Sequence, residues 1–101
     1  MEWQTQDLLI PAAHPSAAGH FPGNPIVPGA LLLDALVAAI AGDQGDIVIQ
    51  SVKFLQPVCH GEPLQLRWQE QRMGQFRFEC RVLRDASLVL TGTLATSTIA
   101  A

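Results

Sequence analysis

A histidine and an aspartate stand fourteen residues apart in the stretch His20-Phe21-Pro22-Gly23-Asn24-Pro25-Ile26-Val27-Pro28-Gly29-Ala30-Leu31-Leu32-Leu33-Asp34. Together they could move protons. An imidazole with an ordinary pKa of about 6.5 is substantially neutral near pH 7, so His20 can accept a proton. Asp34 lies among Leu and Ala, where a carboxylate is costly unless it is neutral, paired or functional. An apolar setting would favour its protonated form, the form a general acid needs. Between them Gly29 offers an amide at a predicted helix start with no side chain in front of it. Such amides can hold developing negative charge on an oxygen. Base, amide donor and acid thus follow one another in chain order.

The elements that must position these groups follow from punctuation and periodicity. A short strand over Gln4–Ile10 is predicted to stop at Pro11, because proline has no N–H to continue a ladder. From Pro11 to Val27 four prolines (Pro11, Pro15, Pro22, Pro25) and two glycines (Gly19, Gly23) exclude regular structure. A loop of this length in a small domain is usually functional. Phe21, Pro22, Gly23 and Pro28 are read as the residues that shape the loop and aim His20. Pro28 suits a first helical position, and Leu32, Leu33, Leu36, Val37 and Ile40 recur at helical spacing until Gly42. The helix is apolar nearly all round, which predicts that it is buried and closely wrapped by a sheet.

Four further strands are predicted over Ile47–Leu55, Leu64–Gln71, Phe76–Arg84 and Ser87–Thr98. Leu64, Leu66 and Trp68 alternate with Gln65, Arg67 and Gln69, and Phe76, Phe78, Cys80 and Val82 alternate with Arg77, Glu79 and Arg81. This is the pattern of antiparallel strands with one buried and one wet face. Strand, long loop, helix and four antiparallel strands make an α+β domain spanning residues 1–101.

Composition narrows the function classes. Nearly half of the 101 residues are hydrophobic, more than a thin two-layer domain readily hides, so a subunit interface is expected. No apolar run reaches the ~18 residues of a membrane span. Met1-Glu2-Trp3-Gln4 lacks the basic start of a secretory leader, so a cytoplasmic protein is expected. Cys59 and Cys80 read as reduced thiols without zinc-site spacing, and neither metal nor redox cofactor is expected. Residues 1–52 carry net charge −5 and residues 53–101 carry +2. No basic cluster is interleaved with aromatics, which argues against nucleic acid. A local basic face that meets a small acidic protein is compatible with this distribution. His14, His60 and Cys59 read as loop residues, and the adjacent Cys59 and His60 side chains should point apart.

The HFPG of His20–Gly23, the Pro28-Gly29 pair and Asp34 together resemble the β-hydroxyacyl-acyl-carrier-protein dehydratases (FabA/FabZ-like) of type II fatty acid synthesis. Val52-Lys53-Phe54, Pro57-Val58 and Gly61-Glu62-Pro63-Leu64 extend the resemblance, which covers roughly residues 17 to 98. The short stretch ahead of His20 makes this a short variant. The resemblance implies a hotdog fold and a homodimer with shared active sites, His20 coming from one subunit and Asp34 from the other. It also implies an acyl tunnel and a substrate carried on acyl carrier protein. Dehydration of a 3-hydroxyacyl thioester to a trans-2-enoyl product is therefore expected, with His20 as base, Asp34 as acid and Gly29 holding the thioester oxygen. The alternatives are a hotdog acyl thioesterase and a non-catalytic module that binds an acyl carrier. An R-specific enoyl hydratase, the remaining enzyme rival, places Asp before His, the reverse of the order here.

Overall fold

The computed structural model describes residues 2–11, 26–42 and 46–96. In chain order these form β1 (Gln4–Leu8), α1 (Gly29–Ala41), β2 (Ile47–Phe54), β3 (Leu64–Arg72), β4 (Gln75–Val82) and β5 (Leu88–Thr96). The strands make one antiparallel sheet in the order β1-β3-β4-β5-β2, so β1 and β2 are its edges. The expected strands are all present, with ends that coincide or are displaced by one or two residues. β1, for example, ends at Leu8, while Ile10 leaves the ladder, turns into the core and accepts a hydrogen bond from Gly61 N–H at 2.7 Å.

Alternation sets the two faces. Leu64 and Leu66 of β3, Phe78, Cys80 and Val82 of β4, and Leu90 and Leu94 of β5 are buried beneath α1 with Leu32 and Leu36. Close approach is greatest at Gly92, opposite Phe78 on one side and Val52 on the other. A Cβ there would lie 2.3 Å from the Ser51 carbonyl oxygen and 2.7 Å from Phe78 Cζ. Only a hydrogen fits, and β2 and the Phe78 ring close over the gap.

The other face is polar but not merely wet. Glu79 is 6% exposed although it lies on this side, because Arg67 across the β3–β4 ladder and Arg81 two residues along β4 both donate to its Oε1, Arg81 at 3.2 Å. The Arg67 guanidinium in turn lies 4.1 Å from the centre of the Trp3 ring, a cation–π contact that covers the pair from above. A buried charge persists only with such partners.

Two expectations are corrected at α1. Pro28 is the residue before the helix, not its first position: its ψ of 139° is extended, and its carbonyl receives the amides of Leu31 and Leu32. Nor is the helix buried nearly all round. Leu32, Leu36 and Ala41 are buried, whereas Ala30, Asp34 and Ala38 are exposed. A helix resting on one sheet contacts it along one stripe, and Leu31, Leu33, Val37, Ala39 and Ile40 of α1 are only partly buried against the core by the described residues.

Candidate active site at the start of α1

The site begins with the bridge that ties the α1 approach to the β2–β3 connection. Ile26 pairs with Cys59, and Val27 N–H donates to the Val58 carbonyl at 2.8 Å. This anchors the chain just before Pro28 stops the extended segment and α1 starts. A groove of about 570 Å³ opens there, lined by Ile26, Val27, Gly29, Leu32 and the run Phe54–Val58. Its walls are mainly aliphatic and aromatic, with Gln56 as the polar side chain. Gln56 is held by hydrogen bonds to Ser87 Oγ and the Leu88 carbonyl, both 2.8 Å.

Gly29 belongs to the lining. Pro28 O accepts from Leu31 and Leu32, while the Gly29 and Ala30 amides stand in the first turn, at the positive end of the helix dipole, where no preceding helical turn supplies an acceptor. A Cβ on Gly29 would lie 2.8 Å from Phe54 Cε1 and 2.9 Å from Cζ. The glycine therefore lets one edge of the Phe54 ring approach the first turn closely. Neither Phe54 nor its neighbour Leu55 is buried by the chain itself, the two being 48% and 45% exposed.

Asp34 is exposed, which corrects the expectation of a carboxyl desolvated by its own chain. Two residues after groove-lining Leu32 it is turned about 200° around the helix, away from the groove. The structure thus brings Gly29 to the groove and leaves Pro28 and Asp34 outside its lining. His20, Phe21, Pro22 and Gly23 lie outside the described residues, and so does the expected meeting of His20 with Asp34. Phe54 is a groove residue that the sequence marks only through the resemblance, which includes Val52-Lys53-Phe54 just before Pro57-Val58.

The cysteines behave as expected of thiols: neither is in a disulfide. Burial pushes the Cys80 thiol up to about 12, which removes it from nucleophilic chemistry. Cys59 is exposed and His60 is buried. Among the described residues no group of three His, Cys, Asp or Glu could hold a metal, and no helix is long and apolar enough to cross a membrane.

One helix laid on a five-stranded antiparallel sheet, with an apolar groove at the helix start, defines a hotdog-fold protein. Solved structures agree on the fold. The dehydratase heterocomplex ApeI:P from Xenorhabdus doucetiae aligns with TM-score 0.72 at 19% identity, covering 92% of this chain and 85% of that one. The dehydratase domain from the CurF module of curacin polyketide synthase aligns with TM-score 0.76 at 17% identity, covering 98% and 40%. The sequence profile of the ApeI-like family, described as ApeI dehydratase, matches residues 2–93, and the chain belongs to that family. Among curated proteins, the 3-hydroxyacyl-(acyl-carrier-protein) dehydratase FabZ of Syntrophotalea carbinolica is 38% identical over 94 residues, covering 79% of this chain and 64% of that protein. The FabZ of Allorhizobium ampelinum is 34% identical over 93 residues, covering 79% and 60%. The chain thus spans less than two thirds of the length of these relatives.

Proposed function

We propose that the protein dehydrates 3-hydroxyacyl thioesters, presented on an acyl carrier protein, to trans-2-enoyl products in fatty acid or related polyene or polyketide synthesis. The observation that carries this reading is the apolar groove lined at the start of α1 by Gly29, supported by membership of a dehydratase family. An acyl chain fits apolar walls. Its thioester oxygen, accepting from the Gly29 N–H, leaves C2 acidic enough to lose a proton. His20 takes that proton from C2, the C2–C3 double bond forms as the C3 hydroxyl departs, and Asp34 gives the departing oxygen the proton that makes it water.

Asp34 faces away from the groove of its own chain, so this division of labour calls for a second copy. We place the protein in the cytoplasm as a homodimer in which His20 of one chain works with Asp34 of the other. The exposure of Val48, Ile49, Phe54 and Leu55 along edge strand β2 and just beyond it supports an interface there.

Incubation with a 3-hydroxyacyl thioester, followed by enoyl absorbance and free thiol in parallel, tests the reading. Enoyl product without thiol release supports it. Thiol release without enoyl product would identify a thioesterase, and binding with neither would identify a carrier-binding module. Full activity in an isolated monomer, measured by sedimentation, would overturn the shared site.

A further inference from the structure

The Phe54 ring lies closer to Gly29 than any side chain at that position would allow, with Cε1 and Cζ 2.8 and 2.9 Å from where a Cβ would stand. It is also half exposed and forms one wall of the groove. If a thioester oxygen accepts from the Gly29 N–H at the usual ~2.9 Å, the carbonyl carbon sits just beyond that oxygen, and C2, one bond further on, comes within reach of the Phe54 ring that lines the same groove. A ring edge at that point tolerates two hydrogens on C2. A methyl group on C2 would have to occupy the volume of the ring edge.

We infer that Phe54 is a specificity-determining residue that restricts the groove to acyl thioesters unbranched at C2. This rests on the reading of Gly29 as the thioester anchor. Leu55, Pro57 and Val58 also line the groove, but the ring set against Gly29 is that of Phe54. The discrimination against branching falls on the carbon next to the thioester. Position 54 is well placed to carry it, because its backbone is fixed by pairing with Leu90 at the end of the β2–β5 ladder. The ring can be trimmed without disturbing the buried core, to which Phe54 does not belong.

The test compares a straight-chain 3-hydroxyacyl thioester with its 2-methyl counterpart in the wild type, Phe54→Ala and Phe54→Leu. One methyl group in a shaped apolar site discriminates by roughly 10- to 200-fold. Phe54→Ala should therefore raise the branched-to-straight ratio of kcat/KM by at least about 10-fold, with Phe54→Leu intermediate and the straight-chain KM altered less than the ratio. The same pair of acyl groups, on unreactive pantetheine amides, is titrated by calorimetry against all three proteins. This reads Phe54 even if no turnover occurs. An unchanged preference in both assays would overturn the role of Phe54. Absence of enoyl product from every variant, with the binding preference shifted as expected, would overturn the dehydratase reading and leave the role of Phe54 standing.

Discussion

The two faces of the sheet use exposed and half-exposed residues in opposite ways. On the outer face, Arg67, Arg81 and Trp3 enclose Glu79, so that a carboxylate 6% exposed has partners on two sides. At the start of the helix, the groove residues Phe54 and Leu55 remain about half exposed and Gly29 shares the lining with them. Charge on the outer face is consumed by the fold. Apolar surface and hydrogen-bonding capacity at the groove are left over, and such a surplus marks where something else binds. Residues that look reactive by type, such as Glu79, can be structural, while a glycine and a phenylalanine form the site.

Variants can break this contrast or sharpen it, beginning with the largest expected effect. His20→Ala and Asp34→Asn should each lower the dehydration rate by about 10²–10⁴-fold and leave the melting temperature within a degree or two, as read by enoyl absorbance and thermal unfolding. A large loss of stability in Asp34→Asn would mean that the exposed carboxylate is structural after all. Gly92→Ala should do the reverse. A Cβ 2.3 Å from the Ser51 carbonyl forces backbone to move, at a cost of about 2–3 kcal/mol, while activity per folded molecule is retained. Glu79→Ala leaves two guanidinium groups facing each other, and because both are about a third exposed the cost should be about 1–3 kcal/mol, measured by urea unfolding.

The smallest effect belongs to Asp85 in the β4–β5 turn. The Ser87 hydroxyl, donating at 2.7 Å, and then the Ser87 amide at 3.0 Å hold its carboxyl below the usual carboxylate range. A depressed folded value contributes stability above the unfolded pKa and loses it as pH falls through the folded one. Asp85→Asn should therefore flatten the acid side of the stability profile below about pH 4, with no change in stability slope at neutral pH and none in turnover.

What the sequence could and could not express follows the range of the interactions. Strict alternation, as in Leu64-Gln65-Leu66-Arg67-Trp68, is a local signal of face, and β3 and β4 lie where it places them. The α1 stripe was not readable in the same way. With Asp34 the one charged residue between Gly29 and Ala41, the pattern does not distinguish apolar residues facing this sheet from those facing another surface. The approach of Phe54 to Gly29 joins positions 25 residues apart, and the placing of β2 beside β5 joins more distant ones. Neither leaves a periodic trace. At Pro28 a fixed φ suits the cap and the first helical position equally, and only ψ separates them.

The register that pairs Ile47 with Thr96 and Phe54 with Leu90 also sets an order of events during synthesis. Among the described residues β2 has no neighbour in the sheet except β5, so it must wait as an unpaired segment until β5 has left the ribosome. β3 and β4 can close their hairpin locally long before. The wall of the groove is thus among the last parts to form, and a chain cut short within β5 would keep its hairpin while losing its binding site.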